Sequence, residues 1–324
     1  MESPIDPDEE ICDPHHHLWD HPKDRYLLDE LHADTGAGHR VTSTVFVECT
    51  SAYRTDGPEE LRPVGETEFV AAIADESKQR AGQAVIRGIV GFADLALGDA
   101  VADVLAAHVE AARQPGRFKG IRHASGWDAS PDVRRSHTRP PEHLLLDPSF
   151  RRGCAAVARA GLHVETWMYH PQLPELADLA AALPDVPIVL DHLGGPLGIG
   201  PYKGRRDEVR AEWRAAMSAV ARHDNVTLKL GGIGMPIFGL DWHHRPELPS
   251  SEELAAAWSD DIAWCIETFG VERCMFESNF PVDRRSCSYT VLWNSFQRIA
   301  SSVGATPAER DALFRANAVR VYRL

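Results

Sequence analysis

Eight short apolar runs recur along the chain, and most are followed by a stretch in which apolar residues return every three or four positions. The runs suit buried strands and the stretches suit amphipathic helices, so the pattern reads as consecutive βα units. The runs lie near residues 11–13, 44–48, 86–91, 118–121, 163–167, 188–191, 227–230 and 273–277. Among the helical stretches, residues 99–113 place Val101, Val104, Leu105 and Val109 on one face. Helix boundaries are marked chemically. Asp147-Pro148 reads as an N-cap with a first-turn proline, and Gly161 as the residue that ends that helix. Ser250 with Glu253, and Thr306 with Glu309, each read as a capping box.

Eight parallel strands can form a closed barrel or an open doubly wound sheet. No G-x-G-x-x-G follows the first strand, so the dinucleotide-binding open sheet is disfavoured. The expected fold is a (β/α)8 TIM barrel, one domain over residues 1–324, with its chemistry at the C-terminal ends of the strands. Three long stretches, 127–146, 194–209 and 231–249, would follow strands and so sit over the mouth, either as lid or substrate loops or as surface decoration.

Composition narrows the partners. A formal net charge of −14 works against binding nucleic acid or an anionic membrane surface, both of which need clustered Lys and Arg. The first ten residues are acidic and no apolar run is long enough to span a bilayer, so a cytoplasmic chain is expected. The six cysteines form no C-x-x-C pair and read as mostly buried thiols. A homo-oligomer is left open.

The strand ends carry the chemistry. The first run ends in Asp13-Pro14-His15-His16-His17, where alternation puts His15 and His17 on one side. That is how one strand offers two imidazoles to a metal, although the same residues could simply hydrogen-bond within the mouth. Further strand ends supply Glu48, Arg122-His123, His170, Asp191-His192 and Glu277-Ser278-Asn279. Asp191 directly precedes His192, points to the other side of its strand by the same alternation, and reads as structural.

The segments Asp13-Pro14-His15-His16-His17-Leu18-Trp19, Phe46-Val47-Glu48-Cys49, Lys119-Gly120-Ile121-Arg122-His123, Val189-Leu190-Asp191-His192-Leu193-Gly194 and Met275 through Asp283 resemble the amidohydrolase-2 family of TIM-barrel hydrolases. The resemblance is closest to a branch of sugar lactonases and 2-pyrone-4,6-dicarboxylate lactonase, with aromatic-acid decarboxylases as more distant relatives. It implies that His15, His17 and His192 are metal ligands. It also implies that Arg122, with His123 beside it, binds an anionic small-molecule substrate or the lactone oxygen. Where the family often reads Gly-Ser-Asp-Trp-Pro, this chain has Asn279, which cannot take up a proton and is a poor ligand for a hard cation.

Two arrangements follow. One is a single divalent ion, zinc by preference, on three histidines; the other is metal-independent catalysis by the histidines and Arg122. Asp283 and Glu48 are the candidates for the missing base, with Asn279 and His170 as further catalytic groups. The expected activity is hydrolysis of a lactone or a related ester or amide. The alternatives are a catalytically weakened barrel that binds a small acid and a metal-dependent aromatic-acid decarboxylase.

Overall fold

Strand β1 (Glu10–His16) pairs in parallel with β2 (Arg40–Val47). The same pairing runs on through β3 (Val85–Gly91), β4 (Phe118–Arg122), β5 (His163–Thr166), β6 (Ile188–Leu190) and β7 (Val226–Leu230) to β8 (Cys274–Phe276). These strands belong to a computed structural model that describes residues 2–324, and each coincides with one of the apolar runs. Just beyond β8 the chain returns to β1. The Asn279 amide donates to the His15 carbonyl at 2.9 Å, and the His17 amide to the Phe280 carbonyl at 2.8 Å. The sheet is therefore a nearly closed barrel.

Helices α1 (Leu28–Thr35), α2 (Val64–Ser77), α3 (Val101–Ala111), α4 (Pro148–Arg159), α5 (Leu173–Ala182), α6 (Arg206–Ala221), α7 (Ser251–Phe269) and α8 (Tyr289–Ser302) alternate with the strands and clothe them. The arrangement is a (β/α)8 TIM barrel. The caps act as their chemistry requires: Asp147 accepts from the amides of Ser149 and Phe150 at 2.8 and 2.9 Å, and both capping boxes close. One expectation is corrected in α3. His108, not Val109, completes the buried face, with Nδ1 against the Thr67 hydroxyl and Nε2 on the Phe92 carbonyl, while Val109 is 47% exposed.

Alternation along the strands sorts two cores. Ile188 and Leu190 face the helices, whereas Val189 points into the barrel with Cys12, Val45, Val47, Val90 and Met275. A C-terminal tail, α9 (Pro307–Asp311), a π turn and α10 (Asn317–Tyr322), closes the end opposite the mouth with Ala318 and Tyr322. Lys119, early in β4, fastens that tail by donating to the Arg323 carbonyl at 2.9 Å. Among the described residues, no helix is long and apolar enough to cross a membrane.

The three long loops leave the C-terminal ends of β4, β6 and β7 and interlock. The Tyr202 hydroxyl donates to Asp128 at 2.8 Å, and the Gly198 amide to the Ile237 carbonyl at 2.8 Å. They are thus tied across the mouth rather than hanging from the surface.

Candidate active site

His17 has a fixed tautomer. Its Nδ1–H donates to the Val47 carbonyl at 2.8 Å, which leaves Nε2 as a lone pair facing His15 Nε2 at 3.3 Å. His15 is held at the barrel seam, where Asp13 accepts from the His15 and Ser278 amides and from the Tyr289 hydroxyl. Burial keeps His15 and His17 neutral, pushing both well below the usual imidazole range.

His192 comes in from a different geometry. After β6 the chain turns through left-handed residues, His192 at φ 51° and Leu193 at φ 57°, and swings the imidazole over the barrel. Its Nδ1–H donates to Glu277 Oε1 at 2.6 Å. Burial opposes charge on this ring, but Glu277 outweighs it and raises the His192 pKa; in return Glu277, despite its own burial, is held at about 2 by His192 and His15. The room for this pair comes from Gly231 and Gly232 after β7. A Cβ on Gly231 would lie 2.2 Å from Glu277 Cγ, and one on Gly232, at φ +65°, 2.6 Å from His192 Nδ1.

Asp191 does not behave as alternation against His192 suggests. It is in phase with inward Val189, so its carboxylate enters the barrel, and the left-handed turn then brings His192 to the same place. Asp191 Oδ1 lies 3.3 Å from Lys229 Nζ and 3.6 Å from His15 Nδ1, with Oδ2 3.5 Å from Arg122 Nη1. Burial would neutralise it, but Lys229, His192 and Arg122 keep it ionised below its ordinary value.

Arg122 is clamped on one side. Its Nε donates to Glu48 Oε1 at 2.8 Å and Nη2 to the Glu48 carbonyl, leaving Nη1 facing Asp191 and, at 3.4 Å, His15 Nε2. Glu48 also meets His137 Nε2 at 3.0 Å and, against the effect of burial, is held at about 2 by Arg122 and His137. Asn279, at φ 55°, does not aim its amide at the histidines; Nδ2 donates to Asp283 Oδ1 at 2.9 Å. Asp283 takes a second hydrogen bond from the Gly234 amide, and burial lifts it to about 7.

The sequence-derived set therefore divides. His15, His17, His192, Arg122 and Glu48 form one buried cluster, and Asp283 with Asn279 borders it. His123 and His170 do not join. His123 faces the rings of Phe92 and Phe150 and accepts from the Leu95 amide, lining a groove of about 1250 Å³ beside the mouth. His170 accepts from the Leu197 amide at 3.2 Å and so fastens the loop after β6. His123 follows inward Arg122 and, like Ile121, faces the helices by simple alternation, its amide still paired to the Glu165 carbonyl at 3.0 Å, whereas His170 sits in a short 3-10 turn, His170–Gln172, beyond β5. The strand-end reading named Glu277 without giving it a role and took Asp191 as structural, and it missed Lys229 and Glu165, single charges inside β7 and β5.

The donor set suits one divalent cation, but with a different trio from the three histidines. His15, Asp191 and His192 each offer a ligand atom, all within 4.8 Å of one another, whereas His17 adjoins His15 alone. Both Asp191 oxygens and Glu277 Oε2 are buried without a hydrogen bond. Glu277 Oε2 lies 2.7 Å from His15 Nδ1 without closing a hydrogen bond to it. Charge agrees: the buried carboxylates of Glu48, Glu165, Asp191 and Glu277 face two fixed cations, Arg122 and Lys229. With His15 and His17 neutral, and His192 neutral as a metal ligand must be, the cluster would hold a net charge of minus two, which a divalent ion balances.

Comparison with known proteins agrees with this fold. The sequence profile described as Amidohydrolase matches residues 12–324. An uncharacterized protein of Sinorhizobium fredii is 33% identical, over 97% of this chain and 98% of its own. An L-fucono-1,5-lactonase of Burkholderia multivorans is 30% identical, over 80% of this chain and 77% of its own. A crystal structure of a Burkholderia multivorans amidohydrolase with bound HEPES superposes at a TM-score of 0.72 with 26% identity, over 97% of this chain and 99% of that one. A second crystal form, at 24% identity and the same TM-score and coverage, contains zinc. This chain, a TIM barrel with a buried histidine and carboxylate cluster at its strand ends, belongs to the amidohydrolase family of hydrolases.

Proposed function

We propose that the chain hydrolyses a neutral lactone, with the carbonyl held at Arg122 and water activated beside Asp283. The observation that carries this reading is the Nη1 edge of Arg122, which Glu48 leaves free and which has only long contacts, 3.4 Å to His15 Nε2 and 3.5 Å to Asp191 Oδ2. Glu48 fixes the guanidinium and matches its charge, so Nη1 is a positioned donor for a carbonyl oxygen that gains charge during attack. Because that charge is already matched, a lactone oxygen suits Nη1 better than a substrate carboxylate does. The likeness to an L-fucono-1,5-lactonase supports a lactone over an amide. A divalent cation on His15, Asp191 and His192 would add Lewis-acid polarisation of the carbonyl and acidify water.

Of the two candidate bases, Asp283 fits the task. Its pKa of about 7 lies near neutral pH, where a general base works best, whereas Glu48 at about 2 is too weak and already holds Arg122 and His137. Asp283 takes a proton from water as its oxygen attacks the acyl carbon. The acyl C–O ring bond then breaks, Asp283 returns the proton to the departing alkoxide, and a hydroxy acid remains.

The base acts ionised, so kcat/KM should rise as pH increases through about 7. Asp283→Asn should remove that rising limb together with most activity, as read from a pH–rate profile on a lactone panel. A profile left intact in Asp283→Asn would exclude Asp283 as the base. Asn279→Asp tests the same pair from the other side. It replaces a donor 2.9 Å from Asp283 Oδ1 with a like charge, which raises the Asp283 pKa further. The limb should move to higher pH by roughly one unit or more. An unmoved limb would contradict the pairing.

A further inference from the structure

Lys229 lies at the floor of the site, fully buried within β7. Its Nζ is 2.6 Å from Glu165 Oε1, 3.1 Å from His15 Nδ1, 3.3 Å from Asp191 Oδ1 and 3.9 Å from Glu277 Oε2. That shell of three carboxylates and an imidazole is one a metal cation would accept. From below, the Tyr322 hydroxyl donates to Glu165 Oε2 at 2.8 Å, and the Tyr322 ring lies 5.6 Å from Nζ. The C-terminal helix thus locks Glu165, and Glu165 locks the ammonium. Neighbouring inward positions are apolar, Val189 and Met275 among them, so an uncharged side chain would suit this depth by packing alone. What Lys229 adds is charge. Three carboxylates, of Glu165, Asp191 and Glu277, stand within 3.9 Å of it to match that charge.

We infer that Lys229 is a fixed internal cation of the site, holding Asp191 in place and setting the cluster charge so that it takes one divalent cation and not two. Without the ammonium, four carboxylates would face Arg122 alone, and the shell around Nζ would be open to a second ion. Lys229 is a positioning residue, acting on substrate only through Asp191 and His15. The inference rests on the site assigned above but not on the identity of the substrate.

The test compares the otherwise native chain, Lys229→Met and the double variant Lys229→Met/Glu165→Gln, titrated with zinc against a chelator. All three carry His243→Ala and His244→Ala, so that the exposed group formed with Asp241 takes no zinc. The parent should bind one zinc per chain. Lys229→Met should bind a second equivalent, or the first at least ~10-fold more tightly, equal to ~1.4 kcal/mol. The double variant removes a negative charge along with the positive one and should return to one zinc, with affinity within about threefold of the parent. Both variants should lose kcat by ~10-fold or more with KM changed less than about threefold, because Asp191 has lost its anchor.

If Lys229→Met folds only with zinc, its melting temperature should rise with zinc more steeply than the parent's, and the double variant carries the comparison without that complication. Native stoichiometry and affinity in Lys229→Met would overturn the inference, as would two zinc ions in the parent cluster. Failure of the lactone reading would be seen separately, as absent lactone turnover with these zinc results unchanged.

Discussion

Arg122→Ala is expected to cost about 3–5 kcal/mol of stability, because removing one partner of a buried ion pair leaves the other charge uncompensated. Here two carboxylates lose their partner: Glu48, which accepts from Nε, and Asp191, 3.5 Å from Nη1. Melting in denaturant reads that loss. Arg122→Lys separates charge from shape. A single ammonium cannot donate to the Glu48 side chain, the Glu48 carbonyl and a substrate carbonyl in the guanidinium's fixed fork, so kcat/KM should fall by about tenfold or more, equal to ~1.4 kcal/mol of transition-state stabilisation. Kinetics unchanged in Arg122→Lys would remove the guanidinium edge from the mechanism.

Asp191→Asn is expected to have the larger catalytic effect. The amide keeps the carboxylate's shape but removes the charge on which Lys229, His15 and Arg122 converge, and it turns an N–H toward groups that are themselves donors. Two fixed cations then repel each other across a neutral side chain, and a charged ligand for a divalent ion is gone. We expect kcat/KM to fall by ~10³-fold or more, the size of effect that follows loss of a group stabilising charge directly in an active site. Zinc affinity should fall in the same preparation. A variant that keeps native kcat/KM while losing only stability would make Asp191 an architectural residue after all.

The barrel was legible because its information is local. Each strand is an apolar run, and the caps at Asp147, Ser250 and Thr306 use side chains next to the amides they satisfy. The strand-end histidines were legible for a similar reason, since His15 and His17 share a side of one chain segment. Direction at the strand ends was not. Asp191 and His192 both reach the centre because consecutive left-handed residues break the alternation, and nothing within Asp191-His192-Leu193 announces that turn. His170 leaves the cluster through an equally local bend, whereas His123 leaves it by the same alternation that turns Arg122 inward. A stronger signal went unread in Thr227-Leu228-Lys229-Leu230 and His163-Val164-Glu165-Thr166. A lone charge inside a strand buried on both faces must find a partner, and the two charges are each other's. Tyr322 could not be found that way, because its place under Glu165 depends on the whole chain returning to close the barrel floor.

The most direct measurement of the central claim is steady-state hydrolysis of a panel of sugar 1,4- and 1,5-lactones, followed by acid release, with the native chain and Asp191→Asn assayed side by side at matched zinc. The native chain should open at least one lactone, and Asp191→Asn, still folded, should open it ~10³-fold more slowly. No turnover of any lactone by the native chain, or equal turnover by the two proteins, would contradict it.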